Sequence, residues 1–274
     1  MDGAVEREIG SDRGMSNARL VELKTGRAGP CIFLVPGLGG RVEGFSELAT
    51  LLDTSMPLLA IEARGVDSTS DPDYDMGVMV RHYIDRIRTV QPNDPYFLIG
   101  HSFGGAVVFE MAQQIRAMRK RVGCLILLDT PLPKRYWSLR FFLASLGPRL
   151  RGHLERITSD SVTQNFDYYT RRLRRRWQGL HNISPDLMFG AESARMLMAL
   201  DMLKSQWRPE FYPGRLTLFC CSGAGLNTLY QKLAAELETY LLAGDHINMV
   251  EQPYVSSLAK DVSACLAKAS QACI

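Results

Sequence analysis

From residue 31 to residue 128 the chain alternates two hydrophobic rhythms. Short runs, apolar at nearly every position, stand at 31–35, 58–62, 96–100 and 124–128. Such runs fit strands buried on both faces of a parallel sheet. Between them, apolar residues return at helical spacing. The clearest case lies within 75–90, through Met79, Val80, Tyr83, Ile84 and Ile87, with Asp73 and Asp75 near its start. Further helices are predicted near 44–53 and from behind Ser102 to about Lys120, and a preceding strand over 19–23. Strand and helix alternating at these intervals predict βαβ units.

The rhythm breaks at Asp129-Thr130-Pro131. From 131 to about 207 there are helical fragments but no strand-like run, and Trp137, Trp177 and Trp207 all fall here. Sheet rhythm resumes at 216–221. A helix over 227–237, a strand over 239–242, the turn Gly244-Asp245-His246 and a last helix over 253–267 follow. The expected fold class is α/β, a mostly parallel sheet flanked by helices. Residues 131–209 are expected as a helical lid over the carboxyl edge of the sheet, where such sheets bind ligands. Residues 1–17, of mixed charge, read as a flexible leader. One domain then spans 18–274, with its core in 18–130 and 210–274. A length of 274 residues and an apolar share of 46% suit one large domain with an insertion.

The candidate chemistry sits where the third run ends, in Gly100-His101-Ser102-Phe103-Gly104-Gly105. A strand, a G-x-S-x-G turn and a helix make a nucleophile elbow, which lifts the serine hydroxyl clear of the sheet. A serine hydroxyl is a poor nucleophile near neutral pH and needs a base oriented by an acid. Of five histidines, His82 lies inside a helix, His153 and His181 lie in the insertion, and His101 is expected to point away across the elbow. His246, at a glycine-containing turn after the last strand, fits the chain order nucleophile, acid, base. The loop 222–227 after the 216–221 run holds no carboxylate. Asp129 ends the strand behind the elbow helix and is the favoured acid, with Asp245 and Asp201 as weaker rivals. Two N–H donors are needed for a developing oxyanion. Phe103, the residue after the nucleophile, supplies one. Leu38 supplies the other from Pro36-Gly37-Leu38, with Gly37 as the alternate.

Taken together, these motifs resemble the thioesterase domains of nonribosomal peptide and polyketide synthases, which have the α/β-hydrolase fold. The resemblance rests on Val35-Pro36-Gly37-Leu38-Gly39-Gly40, Glu62-Ala63-Arg64-Gly65, Gly100 to Gly105, Leu127-Leu128-Asp129 and Gly244-Asp245-His246. The Asp129 position is similar to that of the terminal, chain-releasing members. The resemblance implies Ser102 as nucleophile, His246 as base and Asp129 as its partner. It also implies release of an acyl chain, polyketide or peptide, from the phosphopantetheine of an acyl or peptidyl carrier protein, by hydrolysis or cyclisation. No bound cofactor is implied. An α/β-hydrolase acting on acyl-CoA or ordinary carboxylic esters shares the same three residues. The start at Met1 with a short leader reads as a free-standing chain.

Charge changes the picture in one place. The chain carries a net +3, yet residues 131–180 hold eleven basic and three acidic side chains, a local balance of +8. Arg171, Arg172, Arg174, Arg175 and Arg176 form its densest part. A solvated helix face accounts for such a run, and so does an acidic carrier protein or a phosphopantetheine phosphate. No nucleic-acid-binding motif accompanies it. The six cysteines form no C-x-x-C pair and read as buried, reduced thiols, not as a metal site. The polar N-terminus and the lack of any apolar run of 18 residues argue against a signal peptide or a membrane span, and point to the cytoplasm.

Overall fold

The computed structural model describes residues 7–8, 18–27, 29–66, 70–136, 191–221 and 226–273. Their strands are β1 (Arg7–Glu8), β2 (Arg19–Lys24), β3 (Ile32–Val35), β4 (Leu58–Glu62), β5 (Tyr96–His101), β6 (Val122–Leu128), β7 (Tyr212–Cys220) and β8 (Ala234–Leu241). They form one sheet in the order β1-β2-β4-β3-β5-β6-β7-β8. β2 runs antiparallel to both β1 and β4, and every pairing from β4 to β8 is parallel. This is the mostly parallel sheet that the apolar runs predict.

Helices cover both faces. α1 (Ser46–Leu51), α2 (Met76–Val90), α3 (Phe103–Ala117), α4 (Ala191–Gln206), α5 (Leu226–Tyr230) and α6 (Val255–Gln271) are the α-helices among the described residues. β3 and β4 are buried along their whole length, and β5 and β6 along most of theirs, so alternate side chains serve two separate cores. Phe33 and Val35 join Val80, Tyr83, Ile84, Val107 and Met111 under α2 and α3. Ile32 and Leu34 join Leu48, Val255, Leu258 and Val262 under α1 and α6. The α2 start lies where the sequence places it, because the Asp75 carboxylate accepts the Val78 N–H at 2.9 Å and caps the helix.

Three expectations change. Within the 1–17 leader, Arg7–Glu8 pairs with Glu22 and Val21 as a short edge strand. The helix expected over 227–237 is cut to α5, and the strand expected over 239–242 starts early, at Ala234. Leu229, Leu233 and Leu237 recur at helical spacing, but β8 is an edge strand with only partial burial, so its polar residues mask the alternation. Of the expected lid 131–209, the structure describes 131–136, with a short 3-10 turn at Lys134–Tyr136, and α4 with the residues after it. The remainder, including Trp137, Trp177 and the five arginines from Arg171 to Arg176, lies outside the described residues.

The two described ends of the insertion are fastened to the core and to each other. The Arg135 guanidinium donates to the carbonyls of Ser205 and Trp207. The Trp207 indole N–H donates to Glu110 Oε1 on α3 at 2.8 Å, and its ring meets Phe109 edge-on at 5.9 Å. Leu200 and Leu203 of α4 are buried beside them. No described helix is long and apolar enough to cross a membrane. Among the described residues no group of three or more His, Cys, Asp or Glu side chains is placed to hold a metal ion. All six cysteines are free thiols.

Candidate active site

The site grows from β5 and its turn. Ser102 stands between strand and helix with φ 54° and ψ −119°, a backbone state that costs a non-glycine residue of the order of 1–3 kcal/mol. The surrounding packing leaves the chain no other course. A methyl group at Gly100 would lie 2.3 Å from the Gly104 carbonyl oxygen, and one at Gly104 would lie 2.1 Å from that of Val35. Only glycines allow β3, the elbow and α3 to approach so closely. The Ser102 N–H donates to the Leu128 carbonyl at 2.9 Å, which ties the elbow to the end of β6.

β6 continues into Asp129, itself at φ 45°. Its N–H donates to the Phe219 carbonyl at the end of β7. Its carboxylate accepts the Cys221 N–H on Oδ1 at 3.1 Å and meets His246 Nδ1 through Oδ2 at 2.7 Å. A carboxylate accepts, so Nδ1 carries the imidazole hydrogen and Nε2 is left with its lone pair. That lone pair faces the Ser102 hydroxyl, with Oγ and Nε2 2.8 Å apart. Burial opposes the Asp129 charge, but the bonds from His246 and Cys221 outweigh it and hold the carboxyl below its ordinary range. The three side chains that the sequence singles out therefore meet in one hydrogen-bonded row.

Asp245, the rival acid, is occupied elsewhere. Its Oδ1 accepts the Ile247 and Asn248 N–H groups at 2.9 and 3.0 Å, while Asn248 Oδ1 accepts the Asp245 N–H. Asp245 thus builds the turn that carries His246. Asp201 lies exposed on α4. His101 departs from its expectation. Its ring does not turn away but stacks on the His246 ring, centroids 5.2 Å apart. It shares with Ser102 the wall of the cleft described next. Nothing in the residue pattern marks this, because the contact joins the elbow to a turn 145 residues away.

Ser102 opens into a cleft of about 1100 Å³. Its described walls include Leu38, Val66, Met196 and Leu197, so Met196 of the insertion lines the site as well as packing into the core cluster that holds Trp207. Ile247, 67% exposed, stands at its rim, and Arg41 and Lys204 bring positive charge to the lining. The loop after β3 presses on the nucleophile, since a methyl at Gly37 would lie 3.1 Å from Ser102 Cβ. Leu38 follows it in the same wall. Phe103 is the first residue of α3, where backbone N–H groups have no partner within the helix and form the positive end of its dipole.

Comparison with known proteins bears on the family and the fold. The family described as "Thioesterase domain" matches residues 30–266. A dimodular nonribosomal peptide synthase of Bacillus subtilis is 36% identical over 128 residues, 46% of this chain and 5% of the relative. Indigoidine synthase of Dickeya dadantii is 39% identical over 118 residues, 43% of this chain and 8% of the relative. The chain thus spans less than a tenth of the length of either. Among solved structures, the NocB thioesterase domain in covalent complex with a fluorophosphonate nocardicin G analogue superposes with a TM-score of 0.63. It has 22% identity and covers 87% of this chain and 95% of its own. A wild-type Vlm2 thioesterase domain gives 0.61 with 24% identity, covering 92% and 99%. These two likenesses speak for the fold. With most of its length matched by one family and an α/β-hydrolase core built around Ser102, the chain belongs to the thioesterase domain family.

Proposed function

We propose that the protein releases an acyl chain, polyketide or peptide, from the phosphopantetheine arm of a carrier protein through an acyl-enzyme on Ser102. The observation that carries the reading is the row from Ser102 Oγ through His246 to Asp129, at 2.8 and 2.7 Å. Ser102 Oγ attacks the thioester carbonyl carbon as its proton passes to His246 Nε2. Asp129 holds the resulting imidazolium by its Nδ1–H. The carbonyl oxygen becomes an oxyanion, met by the N–H groups of Phe103 and Leu38, a contribution of several kcal/mol. The C–S bond breaks, and the sulfur leaves as a thiol with the proton from His246. Water, or a hydroxyl or amine of the acyl chain itself, then gives its proton to His246 and attacks the ester. Ser102 regains its hydrogen as the product departs. The apolar walls from Leu38, Val66, Met196 and Leu197 suit an acyl chain.

The test is to incubate the protein with an acyl-pantetheine or an acyl carrier protein, follow free thiol and weigh the intact protein. The reading expects thiol release and an acyl adduct that maps to Ser102 and vanishes in Ser102→Ala. Absence of both adduct and thiol overturns it. Faster turnover of an oxyester than of the carrier-bound thioester would favour an ordinary esterase.

A further inference from the structure

His101 has no part in the proton relay, yet it touches three pieces of the site. Its Nε2 stands 3.1 Å from the backbone oxygen of His246. A carbonyl oxygen only accepts, so Nε2 carries the hydrogen and donates it. Its ring lies against the His246 ring, with planes 28° apart. The edge of Phe45 packs against it at 5.6 Å. Its Nδ1 faces the loop after β3, where a methyl at Gly37 would lie 3.2 Å away. Burial first, and the neighbouring His246 second, push its imidazole down to about 4. It therefore stays a neutral, single-donor ring and sets no second charge against His246 when that residue takes up a proton.

The bond joins the residue beside the nucleophile to the backbone of the base. It runs beside the Ser102–His246 contact as a second link between the same two loops. The two links have different fates during turnover. Once Ser102 is acylated its oxygen is an ester oxygen and has no hydrogen to give, so the first link is lost. The link through His101 persists.

We propose that His101 is a positioning residue that holds His246 over the acylated Ser102 through the bond from its Nε2–H to the His246 carbonyl. The proposal rests on the acyl-enzyme reading above. Its signature is kinetic: loss of the brace slows deacylation more than acylation.

The experiment compares wild type, His101→Leu and His101→Gln on one thioester. It measures kcat, KM and the fraction of protein carrying the acyl group at steady state. For His101→Leu, kcat falls about tenfold, the scale of one lost hydrogen bond. KM does not rise, and acyl-enzyme accumulates. His101→Gln, whose amide N–H reaches a similar position, restores turnover to within about threefold. Wild-type turnover and adduct level in His101→Leu overturn the proposal, and so does a His101→Gln as impaired as His101→Leu. A readout that needs no variant is ¹⁵N NMR of labelled histidines in the wild-type protein at neutral pH. It must find His101 neutral with its hydrogen on Nε2; a hydrogen on Nδ1 overturns the proposal. Wild type that forms no adduct and releases no thiol instead removes the acyl-enzyme reading beneath it.

Discussion

At the scale of the residue, Asp129 does two things with one carboxylate, and the division is testable. Oδ1 accepts the Cys221 N–H and Oδ2 accepts from His246. In Asp129→Asn the Cys221 donor demands the amide oxygen, which turns the amide NH2 toward His246 Nδ1. The imidazole hydrogen must then move to Nε2, where no lone pair remains for the Ser102 hydroxyl. We expect kcat to fall about 10⁴-fold with the fold intact, as measured by thiol release and circular dichroism. His101 and Asp129 together set a pH dependence with two windows. His101 is ordinarily half-protonated at 6.5 but at about 4 in the fold. The unfolded chain therefore binds more protons between those values, and stability falls as pH drops through them. Asp129 is lowered from 3.8, so its contribution is present above that value and is lost on further acidification. Melting scans should show Tm falling by roughly 10 °C at most between pH 6.5 and 4 in wild type. His101→Gln should flatten that window and leave the more acidic one. A wild-type Tm that holds constant from 6.5 to 4 would contradict the burial argument. Ser102, Asp129 and His246 were all legible from strand ends and glycine turns, because those are local patterns. His101 was not, because neither its Nε2–H partner nor its stacking partner is near it in sequence.

At the scale of the element, the described end of the insertion is fastened to α3. Trp207 puts its indole N–H on Glu110, whose carboxyl burial pushes up while that bond pulls it back. Trp207→Phe keeps most of the ring contact with Phe109 and removes the donor. It should cost about 1–2 kcal/mol in urea unfolding, and Glu110→Gln, which accepts from the indole without a charge, should cost less. Equal stability of Trp207→Phe and wild type would show that the bond contributes nothing. The same scale explains why β8 begins at Ala234, inside the segment expected as a helix. Glu236 and Glu238 pair with Arg215 on β7 and Lys268 on α6, so the edge strand carries charge where a central strand carries apolar side chains. Apolar spacing alone then reads as a helix. β3, β4 and β5, buried on both faces, admit no such ambiguity, and their positions follow from the sequence almost to the residue.

At the scale of the molecule, charge is unevenly spread: residues 131–180 hold a balance of +8 in a chain of +3. We expect replacement of Arg171, Arg172, Arg174, Arg175 and Arg176 by glutamate to raise KM about tenfold or more for a carrier-bound thioester, and to leave a small free thioester unaffected. Equal loss on both substrates would count against a carrier surface there. A different consequence follows from where the acid is rooted. Asp129 hangs from β6, beside the strand that bears Ser102, and takes from the end of β7 only a peptide N–H and a peptide carbonyl. Every residue but proline brings that N–H. The sequence 222–225 behind β7 is therefore released from the duty of supplying the acid. Exchanging Ser222-Gly223-Ala224-Gly225 for a foreign loop should preserve the rate of Ser102 acylation, and a loss of more than about tenfold would show that the segment does more than connect.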